Sequence, residues 1–142
     1  MTAERPRLLD LRHVSETRAP FADGATATVA DDAGAVRVTV SRSAGTTPAS
    51  AEAPLTVVAI EGEIDEDTAP LVRLVLARAL ESRAAVCCDL SGVTFFGAAA
   101  ANTALVAHHR ASALGQVFFL RGVRGITGRV LAIVDPDRVV PR

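Results

Sequence analysis

The sequence predicts an α/β fold, a small mixed β-sheet with parallel central strands and helices packed on it. Three observations carry the prediction. A period-2 run lies just ahead of a continuous β-branched run, which suits an antiparallel hairpin. Later strand-like runs are each preceded by a helical pattern, so the chain reads β-β-α-β-α-β-α-β, and strands joined through helices pair in parallel. The 142 residues are 49% hydrophobic and 22% charged, which is enough apolar material for one sizeable core.

Residues 1–34 are rich in Arg, Pro, Ala, Asp and Gly and are read as a weakly structured extension, with a short helix near 8–16 and a turn at Ala33-Gly34. The folded domain is expected over 35–142. "AVRVTVS" (35–41) alternates Val36, Val38 and Val40 with Arg37, Thr39 and Ser41, the mark of a strand with one buried face. "RSAGTTPASAEAP" (42–54) is small, polar and proline-containing, and is expected to be a loop. "LTVVAIEGEI" (55–64) is largely continuous in apolar character, as in a strand covered on both faces.

The next segment switches to helical spacing. Leu71, Val75 and Ala79 join Val72, Leu76 and Leu80 in one stripe, with Arg73 and Arg78 off it. Asp67 or Thr68 is the expected N-cap, and Pro70 suits the first turn. "AAVCCDLSGVTF" follows as a strand, "AAAANTALVAHHRASALG" as a helix ending at Gly115, and "QVFFLRG" as a strand. "ITGRVLAIVD" reads as a short last helix stopped by Pro136, and "RVV" (138–140) as a short edge strand.

Composition excludes several functions. A net charge of -1 and no Lys/Arg run interleaved with aromatics disfavour nucleic acid as a partner. No apolar stretch approaches the roughly 20 residues of a bilayer span, and the N-terminus lacks a secretion signal's apolar core, so a cytoplasmic protein without direct membrane insertion is expected. Cys87 and Cys88, the only two cysteines, are adjacent and cannot staple a loop of useful length. They should point to opposite faces of a strand, at least one into the core, as inert thiols, with a redox switch through intermolecular pairing as the alternative.

Chemistry-bearing clusters are sparse. His108 and His109 are about 100° apart on a helix, and His13 is distant in sequence, so no metal site is expected. "EGEIDED" gathers Glu61, Glu63, Asp65, Glu66 and Asp67 without a cation-loop motif behind them, and capping and solvation explain most of it. The glycines match neither the dinucleotide nor the phosphate-loop pattern. No cofactor and no catalytic residue are expected.

One combination is more specific. "VVAIEGEID" (57–65), "APLVRLVLARAL" (69–80), "VCCDLSGVTFF" (86–96), a helix, and "GQVFFLRGV" (115–123) follow in order. This set resembles the STAS domain family, the anti-sigma factor antagonists of bacteria, over about residues 36–142. The resemblance implies helices chiefly on one sheet face. It also implies a partner, a serine-kinase-type anti-sigma factor that binds the loop after "VTF" and the start of the next helix. In regulated members that loop reads Asp-Ser-Ser-Gly or Asp-Ser/Thr-x-Gly, and phosphorylation of a hydroxyl there breaks the complex.

The matching positions here are Gly97, Ala98, Ala99 and Ala100, so no acceptor remains at the family position (Ala98, Ala99). Gly97 still serves as an N-cap at little cost relative to Asp. Two readings of the alanine run stand side by side: a constitutive or differently regulated antagonist whose small residues admit a partner closely, or a decayed site packed for helix stability. Ser91, Thr94 and Thr103 are the nearby hydroxyls, of which Thr94 is the one to check for modification.

The expected partner contacts are Asp65 and Glu66 at the first helix start, with Thr94, Phe96, Gly97, Ala98, Ala99 and Asn102 along the loop and second helix. Asp65 matches the family position directly, the loop residues in place but not in type. The expected function is a non-enzymatic regulator that occupies an anti-sigma factor and so releases a sigma factor, with a homodimer as a further option. The alternative is a structural STAS subunit of a stress-sensing complex or a lipid-transporter assembly, and the third, an enzyme, lacks a convergent polar set.

Overall fold

A computed structural model of the 142-residue chain describes residues 14–16, 24–47, 50–82 and 85–142. In chain order these form β1 (Val14–Glu16), β2 (Thr26–Ala30), β3 (Val36–Thr47), β4 (Ser50–Ile64), α1 (Ala69–Ser82), β5 (Ala85–Phe96), α2 (Ala98–Ala113), β6 (Val117–Arg121) and α3 (Ile126–Val134). The six strands make one sheet in sequence order. The first three pairings are antiparallel, and β4·β5 and β5·β6 are parallel, as expected where a helix crosses between strands. None of the described helices is long and apolar enough to cross a membrane.

One main core lies between the sheet and the helices. Val38 and Val40 of β3, Val58 and Ile60 of β4, and Cys88 and Leu90 of β5 meet Leu71, Val72, Val75 and Leu76 of α1. Ala100, Ala101 and Ala104 of α2 and Leu131 of α3 complete the same cluster. The apolar stripe expected on α1 is the buried one, and Arg73 and Arg78 are exposed. Leu55, Val57 and Cys87 form a second, smaller cluster from the opposite parity of the same strands, with Phe119 packed against it. The two cysteines thus face opposite sides of the sheet, both buried. Burial pushes both thiols up from the ordinary cysteine value.

Three sequence expectations need correcting. First, sheet structure begins before residue 35: Thr26–Ala30 pair with β3, and Val14–Glu16 with β2. Val14–Glu16 is strand where a helix near 8–16 was expected, and residues 8–13 lie outside the described ones. "TATVA" is short, but Ala27 and Val29 share the parity of Val40 and Val38 opposite them and extend the same buried face. The turn between β2 and β3 comes where expected, with the Asp31 carboxylate accepting from the Ala33 and Ala35 amides, both at 2.9 Å.

Second, the loop expected over 42–54 is mostly strand, because ladder pairing continues from Arg42↔Val58 to Thr47↔Ser50. Backbone bonds suffice there without an apolar pattern. Third, residues 138–140 are not an edge strand. Asp135 accepts the Val139 amide at 2.8 Å and the Val140 amide at 3.1 Å, which turns the chain instead, and Arg138 takes φ 53°. The Pro141 carbonyl accepts from the Leu120 amide of β6 at 2.8 Å.

Gly62 is required by its backbone. It sits at φ 108°, and an added Cβ would collide with the Arg37 carbonyl oxygen. Thr56 of β4 is fully buried, and among the described residues its hydroxyl has no partner. An unpaired buried hydroxyl costs about 1–3 kcal/mol, whereas a methyl of the same shape costs nothing to desolvate. Thr56→Val is therefore expected to stabilise the protein by about 1 kcal/mol in denaturant titration, and a loss of stability would mean that the hydroxyl is bonded in solution.

Candidate functional site

Parallel pairing of β4 and β5 brings the two expected contact segments together. Glu63 lies opposite Phe95 and Ile64 opposite Phe96, and the Gly97 amide donates to the Ile64 carbonyl at 3.2 Å. The β4–α1 and β5–α2 junctions therefore lie side by side at one end of the sheet. Crevices outside the carboxyl ends of parallel strands are where α/β folds commonly place binding sites.

The first junction is built around Asp65. One carboxylate oxygen accepts the Asp67 amide at 2.9 Å and the Thr68 amide at 3.1 Å, and the other accepts from Arg37. Arg37 also donates to Glu63 at 3.0 Å and faces Asp67 at 3.6 Å. Thr68 is buried at the position just before α1; its hydroxyl donates to the Glu63 carbonyl at 2.7 Å and accepts the Asp65 amide at 3.0 Å. Of the two expected caps, Thr68 rather than Asp67 therefore stands at the head of α1, and the Asp65 carboxylate holds the turn that leads into it. Burial pushes the Asp65 carboxyl up, but bonds from Arg37 and from the Thr68 and Asp67 amides outweigh it and hold it below the usual range. Bonds to Asp65 and Glu63 raise Arg37 in turn. Asp65 thereby spends its acceptors on shaping the junction, while Glu66 beside it is exposed.

At the second junction Gly97 is the N-cap of α2, in extended conformation and with no side-chain cap bond. Ala98 and Asn102, four apart, are exposed on one helix face. Ala99 is half-buried against the main core, and Ala100 and Ala101 lie within it. Thr94 is exposed, whereas Thr103 is buried and donates to the Ala99 carbonyl at 2.9 Å, as a helix hydroxyl often does. Ser91 is held by Asp89 at 2.6 Å. From Gly92 to Ala107 there is no charged residue, so this stretch brings no charge of its own to the junction.

Phe96 does not fit its expected role. It is 2% exposed and packs in the core, while Phe95 is 48% exposed and stands in the open. Strand parity explains the exchange: even-numbered Val86, Cys88, Leu90 and Phe96 share the helix face. Two register shifts against β4 each insert a residue, and together they leave the parity unchanged. Counting by twos from Cys88 was the signal that marks Phe95 as the outward ring. Its edge also fills the space beside Gly97, where an added Cβ would lie 3.2 Å from Phe95 Cε2.

No group of three or more potential metal ligands occurs among the described residues. His108 and His109 contact edge to face at 5.8 Å on α2, and His13 lies outside the described residues.

A family model described as the STAS domain matches residues 47–141, which include both junctions. The chain belongs to the STAS domain family. Strands β1 and β2 and most of β3 precede the matched stretch and extend the STAS sheet on its antiparallel side. Among solved structures, an anti-sigma factor antagonist from Mycobacterium paratuberculosis superposes with a TM-score of 0.55 at 22% identity. The match covers 72% of this chain and 83% of that one, and it establishes the shared fold. The curated proteins contain no significant match.

Proposed function

We propose that this STAS protein is a cytoplasmic, non-enzymatic regulator that binds an anti-sigma factor of the serine-kinase type and thereby frees a sigma factor, without the usual phosphorylation switch. One observation carries the reading: at the end of β5 and the start of α2, a neutral surface of Phe95, Ala98 and Asn102 stands open where regulated relatives carry their acceptor hydroxyl. An exposed aromatic ring beside small side chains is the composition of a contact centre, since the ring supplies area and the alanines leave little to desolvate. Glu66 adds a charge at the rim, and Asp65 acts as a positioning residue that holds the β4–α1 junction through Arg37 and the Asp67 and Thr68 amides.

The hydroxyls nearby support an unswitched site. Thr103 is buried and Ser91 is held by Asp89, which leaves Thr94 exposed on the strand side. Release of sigma tests the function: adding the protein to a preformed complex of a kinase-type anti-sigma factor with its sigma factor should liberate free sigma on size-exclusion chromatography. A complex that stays intact at large excess for every such pair from the source organism would contradict the proposal.

A further inference from the structure

Away from the partner surface, β6, α3 and the tail behind it enclose a cleft of about 780 Å³. Three arginines from two segments line it: Arg121 of β6, and Arg138 and Arg142 of the tail. Arg121 is aimed by Asp89, which accepts from it at 2.9 Å and 3.2 Å. Arg142 is nearly buried and donates to Asp135 at 2.9 Å and to the Val140 carbonyl at 3.0 Å. Arg138 is exposed, and its guanidinium has no partner among the described residues. It is also the only described non-glycine residue at positive φ, 53°. Asp135 is the sole acid among the lining residues, and its carboxylate is already engaged by two tail amides and Arg142.

Asp89 and Asp135 already offset Arg121 and Arg142, which leaves the exposed Arg138 guanidinium as the cation of the cleft that an incoming anion would neutralise. The wall opposite the arginines is small. Gly128 and Ala132, one turn apart on α3, both line the cleft, and a Cβ on Gly128 would meet its nearest neighbour, Val123, only at 3.9 Å. A glycine inside a helix is unfavourable relative to alanine, and neither crowding nor a positive φ demands one here. Its effect is to keep the cleft open. The remaining wall is apolar, with Phe119, Val123 and Pro136.

We propose that this cleft binds a phosphate-bearing small ligand, its phosphate held by the guanidinium groups of Arg121, Arg138 and Arg142 and its less polar body lying along Phe119, Val123 and Pro136. The free Arg138 fork, with the donors that Arg121 and Arg142 keep beyond their carboxylate bonds, suits the several oxygens of a phosphate better than the two of a carboxylate. The volume is that of a site for a ligand of a few hundred daltons. The phosphate belongs to a free metabolite or to a lipid headgroup, and two arms of one experiment separate these.

The test is calorimetric titration of the full chain with pyrophosphate and with glucose 6-phosphate at constant ionic strength, beside flotation with phosphatidic acid vesicles and with phosphatidylcholine vesicles. Saturable binding of either soluble probe assigns a free ligand, and selective flotation with phosphatidic acid alone assigns the headgroup. Arg138→Gly removes the unpartnered guanidinium and suits the φ of that position, so the variant should fold at least as well and bind roughly tenfold more weakly or worse. Gly128→Leu, which fills the cleft from α3, should weaken binding similarly while leaving Arg138 in place. No saturable binding in any arm, or equal binding by the wild type and Arg138→Gly, overturns the proposal.

Discussion

The Ala98→Arg variant is expected to bind its anti-sigma partner roughly 100-fold more weakly, or worse, and to melt within a few degrees of the wild type. Ala98 is the first residue of α2 and is exposed, so a longer side chain has room in the free protein. Arginine is nearly as good a helix former as alanine, and a cation near the helix N-terminus costs only about 0.3–1 kcal/mol. In the complex the same guanidinium would be buried among the uncharged residues that run from Gly92 to Ala107. Ala99 is a poorer place for this test, because it is half-buried against the core and its replacement would also report on folding.

Phe95→Ala should act through the same surface by removing the ring, at a cost of about 1–3 kcal/mol of binding. It has a second consequence for attempts to restore a phosphorylation loop. Because the ring edge occupies the space beside Gly97, Gly97→Asp together with Ala98→Ser and Ala99→Ser requires the ring to shift first. The restored loop is therefore expected to take phosphate from a cognate kinase more readily when Phe95→Ala is added, as read by intact mass. Equal labelling with and without the ring would show that Phe95 does not obstruct that position.

The largest expected effect on stability is at Asp135. Its carboxylate is 2% exposed and accepts the Val139 and Val140 amides and the Arg142 guanidinium, tying the end of α3 to the tail that runs back to β6. Asp135→Ala strands two amides and a nearly buried arginine, a loss of about 3 kcal/mol and, for a domain of this size, about 10 °C in melting temperature. Arg142→Ala leaves the amide bonds intact and should cost less.

The pH dependence has a definite sign. Burial alone would push the Asp135 carboxyl up, but the Val140 and Val139 amides and Arg142 outweigh it and hold it below the ordinary value. The folded form therefore binds the proton less readily than the unfolded chain. Its contribution is present above the unfolded carboxylate pKa of about 3.9 and is lost as pH falls through the lower folded value. Asp65 and Asp89 are depressed as well and add to acid destabilisation in the same direction. The difference between wild type and Asp135→Ala in denaturant titrations should accordingly shrink between pH 5 and roughly pH 2. A constant difference over that range would assign the loss to packing instead.

Much of this architecture is legible in the chain because periodicity reports burial directly. The alternation at Val36, Val38 and Val40 and the stripe from Leu71 to Leu80 each mark a face that the fold buries, apart from exposed Val36 at the start of β3. What escapes are elements held by backbone bonds. Residues 42–47 and 50–54 read as loop because their side chains are small and polar, yet ladder bonds need no side chain. The tail at 138–140 reads as strand because valines follow an arginine, yet one buried carboxylate organises it as a turn.

At the site, order along the chain located both junctions, since parallel pairing of β4 with β5 places Asp65 beside the start of α2. Choosing between two adjacent phenylalanines required the strand's parity, which two compensating bulges leave unchanged. The arginine cleft was not legible at all. Its three cations are spread over 22 residues of sequence, from Arg121 to Arg142, and meet only once the tail folds back.

Calorimetric titration of the protein into the kinase-type anti-sigma domains of its source organism, with and without ATP and with intact-mass detection of phosphate, tests the central claim most directly. The account expects tight binding to at least one domain, the same affinity with ATP as without it, and no phosphate on the chain. Binding that ATP reverses with phosphate on Thr94 would contradict the unswitched reading, and no binding to any such domain would instead assign the protein to a larger STAS assembly.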